Sequence, residues 1–591
     1  MSTSLTRTTK GMLARAQRER SWIAFGIVVI AAATLSFNGD GNQTQILFST
    51  CLFIVLAYGW NIISGLTGYV SFGQIGFFGI GAYAATTCQL QFNMDWYTAA
   101  AMGGLAAIVL AIPLGLAMFR LQGIFFALGM FGLTSIAELI ATSSTIVGGS
   151  QGESVPNVGT PQASSLVMLG LACCAILLTA WILRSRLGLR LMAIRDDEMA
   201  AAASGINTRL AKMCAFCISA GLAALAGGLY IWNIGFIDPV SAFGNTFELQ
   251  TILMVLIGGI GTQWGPLFGA VIVSAIGQVL WAQFPQEEQI ILGILTLIGV
   301  IWMPSGIVSL LNRLSWLRRQ PIWGTHRNAV SQQDMPVLST EQKKEPARPV
   351  LQCQQLTKRF GGVVALNHLN LEVLDGQILA VIGPNGAGKT TLFNLITGFD
   401  RQNEGSIRFQ EHNITRRAPY LIARGGIART FQTSRPFPSL TVWETILLPA
   451  TSGHLSKEQA IAATSRMLNK LDLSKQWDQS PALLPPGQQR LLEIGRALML
   501  HPRVLLLDEA MAGMSPSEIE RVHALLRETI QQQCTVIAIE HVLPAIIPIA
   551  DQVYVLDFGT TIAQGNPGDV LKNPAVIDAY LGTGEEATIN V

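Results

Sequence analysis

From about Ser21 to Leu311 the chain is a succession of apolar stretches near twenty residues long, separated by short polar turns. About 20 apolar residues suffice for a helix to cross a hydrocarbon layer. The pattern predicts about ten such helices, over 21–37, 45–63, 68–90, 97–119, 123–143, 165–183, 210–232, 247–262, 264–283 and 289–311. From Asn312 to Pro349 the chain turns polar, rich in Pro, Gln and Lys, with no periodicity. Such a stretch predicts a linker. Beyond Val350, short apolar runs of strand length alternate with helical patterns, the signature of an α/β domain. Gln377–Ile382, Arg503–Leu507 and Thr535–Ile539 read as buried strands. The expected organisation is an arm at 1–20, an all-α polytopic membrane domain at 21–311, a linker at 312–349, an α/β domain at 350–584 and a tail at 585–591.

Charge orients this pattern. Charged residues are only 13% of the chain, about half the usual ~25%. Arg7, Lys10, Arg15, Arg18 and Arg20 precede the first apolar stretch, and Arg184, Arg186, Arg190, Arg195, Arg209 and Lys212 follow the sixth. Arg313, Arg318 and Arg319 follow the last, while the alternate loops hold Asp40, Asp95, Glu153, Asp238, Glu287 and Glu288. Positive residues stay inside, so both ends of the apolar half are expected to face the cytoplasm, which requires an even number of spans. The first stretch also reads as a signal-peptide core, with a basic flank and small residues Ala31–Ala33; cleavage there would leave nine spans. A net charge of +2 does not point to nucleic acid. Cys214 and Cys217 form a C-x-x-C inside an apolar helical run and read as structural.

Glycines cluster at Gly65–Gly81 and Gly258–Gly269. Their structural reading is close helix packing. The functional one is paired broken helices beside a translocation path. Glu138, inside an apparent span, is a candidate by virtue of being an acid there.

The strongest chemical signal is Gly383-Pro384-Asn385-Gly386-Ala387-Gly388-Lys389-Thr390, followed by Thr391. It fits G-x-x-x-x-G-K-[ST], and it sits between a strand and a helix as a phosphate-binding loop must. Its backbone N–H groups cradle phosphates, Lys389 reaches the β and γ positions, and the Thr390 hydroxyl binds magnesium. Downstream, Val504–Leu507 runs into Asp508 and Glu509. Asp508 suits a magnesium ligand, and Glu509 suits polarising a water.

Further stretches in the same order resemble ABC transporter ATPases. Gln432 in Arg429-Thr430-Phe431-Gln432 resembles the Q-loop, and Leu484-Pro485-Pro486-Gly487-Gln488 stands where the signature stands. Ala512–Ser515 resembles the D-loop, and His541 the H-loop histidine. Phe360 is placed like the adenine-stacking aromatic, and equally like a core residue. Arg429–Glu444 (RTFQTSRPFPSLTVWE) and Asp578–Gly582 are similar to the ATP-binding subunit of bacterial high-affinity branched-chain amino acid importers. Gly73–Tyr83, Gly123–Leu128 and Gly188–Gly205 resemble a permease subunit of that system.

The resemblance implies a P-loop ABC ATPase fused to a permease in the bacterial inner membrane, with the ATPase in the cytoplasm. ATP and Mg2+ are its implied cofactors, with Thr390, Gln432 and Asp508 toward the metal and Glu509, His541 and Gln432 in hydrolysis. A second permease and ATPase (or a second copy), a periplasmic binding protein and the lipid bilayer are its implied partners. Urea, short amides or aromatic acids remain alternative substrates, and a nucleotide-binding membrane sensor is the alternative of another class. One departure stands out: the signature's second residue, usually small, is Pro485, which has neither hydroxyl nor N–H. The Ala-rich run Asp196–Gly205 is expected to form a short helix ended by Gly205, of the kind that docks on the ATPase near its Q-loop in importers.

Overall fold

The computed structural model describes residues 22–23, 25–144, 148–155, 159–284, 286–302, 306–311, 348–453, 455–531 and 534–581. The arm 1–20, almost all of the linker and the tail 585–591 lie outside the described residues. The chain divides into two compact units, one drawn from Met1–Leu191 and Arg209–Gln320, the other from Met192–Thr208 and Pro321–Val591.

The first unit is helical. Its elements are α1 (Phe25–Asn38), α2 (Gly41–Trp60), α3 (Gln74–Phe92), α4 (Trp96–Met118), α5 (Ile124–Ser143), α6 (Pro161–Leu183), α9 (Thr208–Ile234), α10 (Pro239–Ala242), α11 (Asn245–Gly258), α12 (Gly265–Gln283), α13 (Glu288–Trp302) and α14 (Gly306–Leu311). Between α6 and α9 lie α7 (Arg186–Asp196) and α8 (Glu198–Ala203). Glu153–Ser154 (β1) pairs antiparallel with Phe236–Ile237 (β2). Each expected apolar window carries a helix. Among the described residues, six helices are long and apolar enough to cross a membrane.

Two windows differ from expectation. The stretch 68–90 is helical only from Gln74, because α2 runs on through a π-turn at Asn61–Gly65 and the chain then leaves the helix. The irregular backbone is held by polar contacts: Trp60 Nε1 donates to Ser71 O at 2.9 Å, and Ser71 N–H donates to Ser64 Oγ at 3.0 Å. Unwound backbone persists in an apolar setting only when its polar groups are met in this way. In the window 289–311 the described helices are α13 and α14, and Gly306, which opens α14, has φ +72°, a conformation outside the right-handed helix.

The second glycine cluster serves packing. A Cβ on Gly258 would lie 1.9 Å from the Gly265 carbonyl, and one on Gly269 would lie 1.7 Å from that of Met254. The helices α11 and α12 can therefore touch backbone to backbone only because these positions lack side chains.

The second unit is α/β. A six-stranded sheet has the order β12-β11-β5-β10-β9-β8. Its strands are β5 (Ile378–Ile382), β8 (Ile427–Arg429), β9 (Val504–Asp508), β10 (Thr535–Ile539), β11 (Gln552–Asp557) and β12 (Thr560–Gly565). All its pairings are parallel except β11 with β12. Every residue of β5, β9 and β10 is buried, which is why these strands read as unbroken apolar runs. A four-stranded antiparallel sheet, β4-β3-β6-β7, adds Val363–Leu374, Pro349–Phe360, Glu404–Phe409 and His412–Asn413. Leu351, Phe393, Ile407, Leu506 and Ile537 belong to one apolar core that joins the two sheets. Its helices include α15 (Lys389–Ile396), α16 (Pro419–Arg424), α17 (Val442–Ala450), α18 (Lys457–Lys470), α19 (Pro486–Leu498) and α20 (Pro516–Gln531).

Candidate functional site

The expected phosphate loop lies at the end of β5 and opens α15. The carboxyl ends of parallel strands are where α/β folds place their ligands. Gly383, Gly386 and Gly388 have φ of +149°, +82° and +100°, conformations that side chains resist. Gly388 caps α15 without a side chain, so the first N–H groups of the helix, including those of Thr390 and Thr391, are left to an anion. Lys389 is buried, and its Nζ donates to the carbonyls of Gly383 at 2.6 Å and Pro384 at 2.9 Å. Its ammonium is thus held across the loop made by Pro384, Asn385, Gly386 and Ala387.

Asp508 ends β9 and is fully buried. Its Oδ2 meets Arg429 at 3.1 Å, and its backbone N–H donates to Thr430 Oγ1. Its Oδ1 has no hydrogen-bond partner among the described residues. Burial raises the Asp508 carboxyl, and the Arg429 guanidinium opposes that rise. Burial likewise lowers Arg429 to about 10, which leaves it charged at neutral pH. The guanidinium is also fixed by Asn394 Oδ1 at 2.7 Å and Thr397 Oγ1 at 3.0 Å.

The next residue, Glu509, takes φ +49°, a left-handed conformation that costs a non-glycine residue about 1–3 kcal/mol. Its Oε1 accepts from Gln432 Nε2 at 3.0 Å and lies 3.1 Å from His541 Nε2. Three motifs more than thirty residues apart in sequence thus converge on one carboxylate. Strained geometry held by two side chains suits a carboxylate fixed toward a reacting water.

Phe360 ends β3 and is 50% exposed, with Lys358 Nζ 4.5 Å above its ring. That exposure removes the core reading and leaves a free face for stacking. In the signature stretch, Pro486 opens α19 and Pro485 caps it without a side-chain hydrogen bond. Leu484 is buried, and its carbonyl accepts from Gln489 Nε2. Gly487 is buried, whereas Gln488 is half-buried. Arg490, one turn on, donates to the Phe431 carbonyl at 2.9 Å and so ties α19 to the Gln432 segment.

Two acidic positions were not legible beforehand. Glu540 precedes His541, is buried, and accepts the Met511 N–H at 2.9 Å, pinning the chain just before Ala512–Ser515. Burial pushes its carboxyl up to about 7, the Met511 N–H opposing. Its signal was an acid at the end of an apolar strand. The second is the pair Asp196–Asp197 beside α8. Asp196 accepts from Ser439 N–H at 2.8 Å and Oγ at 2.7 Å. Asp197 Oδ1 caps α8 through Ala200 N–H, and Oδ2 pairs with Arg435 at 2.7 Å. Arg424 Nε donates to the Gly205 carbonyl at 2.7 Å. The helix α8 forms as expected, and Gly205 leaves it at φ +79°. Gln432, Arg435 and Ser439 therefore lie on one eight-residue stretch that touches Glu509 at one end and the α8 segment at the other.

Three family models match parts of the chain. Residues 42–300 match the family described as the permease component of branched-chain amino acid transport systems. Residues 366–512 match the ABC transporter family, and 560–586 match the branched-chain amino acid ATP-binding cassette transporter family. The high-affinity branched-chain amino acid transport ATP-binding protein BraF of Pseudomonas aeruginosa is 38% identical over 40% of this chain and 99% of its own length. The chain belongs to the branched-chain amino acid family of ABC transporters. LivG of Escherichia coli K12, a high-affinity branched-chain amino acid transport ATP-binding protein, is 35% identical over 40% of this chain and 99% of its own. A nucleotide-free ATP-binding cassette from an ABC transporter is 32% identical, with TM-score 0.37, covering 39% of this chain and 99% of that one. BraF and LivG are ATP-binding proteins that match about two fifths of this chain, and the permease family matches 42–300. The transporter is an ATPase and a permease in one polypeptide.

Proposed function

We propose that this chain is one permease–ATPase half of an importer that moves branched-chain amino acids across the bacterial inner membrane, both termini cytoplasmic. The observation that carries it is the Glu509 carboxylate, held by Gln432 and His541 just past the end of β9, in the same parallel sheet as the strand that leads into the phosphate loop, in a chain whose other half is a permease. Backbone N–H groups of 386–391 and Lys389 would hold the β- and γ-phosphates, and Phe360 the base. The residues fit magnesium: Asp508 offers a buried oxygen without a partner, and Thr390 a hydroxyl, both hard oxygen donors. Magnesium there would neutralise charge on the phosphates. Glu509 would take the proton of the attacking water, and His541 and Gln432 would hold it in position. A periplasmic binding protein would deliver the substrate, and a second permease and ATPase would complete the machine.

The test is uptake. The full complex in vesicles, with its binding protein outside and ATP at the ATPase face, should concentrate labelled leucine, isoleucine and valine. Uptake of urea or short amides alone would replace the substrate class, and ATP binding without uptake of any solute would favour a sensor.

Pro485 bears on the partner's site. An ATP-sandwiching signature needs donors toward the γ-phosphate, and proline supplies none. The site borrowing this signature should turn over more slowly than the site built on Lys389 and Glu509. Pro485→Ser should raise ATP hydrolysed per assembly by up to about twofold, as the slower site of two approaches the rate of the faster. No gain, with two equal sites in the native complex, would show the asymmetry to be absent.

A further inference from the structure

Within the helical unit a cavity of about 680 Å3 opens between the start of α3, the start of α5 and the first turn of α11. That volume falls in the range of about 300–1,000 Å3 for small-ligand sites. Val70, Phe72, Leu128 and Phe131 give it apolar walls, and its polar groups come from Asn245 and Glu248. Among the described residues that line it there is no Lys, Arg or His.

All three helices begin with a glycine cap: Gly73, Gly123 and Gly244, none with a side-chain cap hydrogen bond. A helix start without a capping side chain leaves its first N–H groups to other partners, at the positive end of the helix dipole; at α3 the Ile75 N–H is already taken by Glu248, which leaves the starts of α5 and α11. Glu248 is only 4% exposed. Its Oε2 accepts the Ile75 N–H at 2.7 Å, in the first turn of α3. Its Oε1 accepts no hydrogen bond among the described residues. An acid inside a membrane protein with one oxygen unmet requires a cationic or donor partner, or a proton.

We propose that this cavity is a substrate site for a zwitterionic α-amino acid with an aliphatic side chain. The Glu248 carboxylate receives the ammonium group, the starts of α5 and α11 receive the carboxylate, and Val70, Phe72, Leu128 and Phe131 take the side chain. Urea and short amides offer no cation to Glu248, and a second charge on the substrate would have no counterpart among these walls. The proposal rests on the importer reading and adds to it the place and chemistry of recognition inside the permease.

The experiment measures equilibrium binding to the full complex in lipid nanodiscs, without binding protein, using labelled leucine and N-acetyl-leucine, whose amine is uncharged. The native complex should prefer leucine by about tenfold or more, the range of one charge-assisted hydrogen bond. Glu248→Gln keeps an acceptor for Ile75 and removes the charge, so the preference should vanish. Leu128→Trp, on the exposed wall, should weaken both ligands together. Equal binding of the two ligands by the native complex, or a preference surviving Glu248→Gln, would overturn the site. Loss of assembly in Glu248→Gln, with Leu128→Trp binding as the native complex does, would make Glu248 a helix cap and overturn it too. Failure of the importer reading shows separately, as no ATP-driven leucine uptake by the native complex.

Discussion

Glu509→Gln in the assembled complex is expected to slow ATP hydrolysis by about 10²- to 10⁴-fold, the contribution of one positioned general base. The substitution keeps the shape of the side chain and its contact with Gln432. It removes the negative charge toward which His541 and the left-handed backbone are arranged. ATP affinity should stay within about twofold, because the loop from Gly383 to Thr391 and the buried Lys389 are untouched. Single-turnover phosphate release separates the two quantities, and leucine uptake should fall with the rate of release. Hydrolysis at the native rate would remove Glu509 from the chemistry, leaving His541 as the remaining candidate to orient the water.

The second large effect is expected from Ala202→Pro. The helix α8 has six residues, and proline within it removes an N–H that the preceding turn uses, at a cost of about 3 kcal/mol or more. A helix this short cannot absorb the loss elsewhere, so Asp197 loses the turn it caps and the Gly205 carbonyl leaves Arg424. The stretch from Gln432 to Ser439 then keeps its hold on Glu509 and loses its ordered contact with the α8 segment. Leucine uptake should drop below about a tenth of native, the penalty for a contact worth more than 1.4 kcal/mol. Nucleotide binding should remain. The paired measurement is leucine moved per ATP hydrolysed; an unchanged ratio would assign α8 a purely structural part. Asp197→Ala, which removes one cap and one ion pair, should lower the same ratio less.

How much of this was readable beforehand depends on the range of the forces involved. The glycine-rich loop from Gly383 to Gly388 was legible as a turn between strand and helix because its glycines answer to local backbone demands, and a strand before with a helix after is a matter of adjacent residues. The buried strands β5, β9 and β10 announced themselves because a parallel sheet covered on both faces demands apolar residues throughout. The α8 helix was legible for the same local reason: four alanines followed by a glycine. Phe360 was not, because stacking face and core are the same residue type until exposure is known. Glu138 was singled out and Glu248 passed over, since a window edge makes an acid look ordinary. In the structure Glu138 is half-buried with no role assigned, while Glu248 is buried against α3.

By itself the order of residues determined an apolar helical half and an α/β half, the glycine-rich loop before α15, the acids at the end of β9 and the short helix between the sixth and seventh apolar windows. These follow from periodicity and neighbouring residues, whose energies are settled within a few turns of chain. Only the tertiary structure decided that Gln432 and His541 meet on Glu509, that Arg429 holds Asp508, that Asp196 and Asp197 reach Ser439 and Arg435, and that three glycine-capped helices open on one cavity beside Glu248. Those outcomes depend on which strands pair and which helices cross, so they join residues tens to hundreds of positions apart, and no local pattern encodes them.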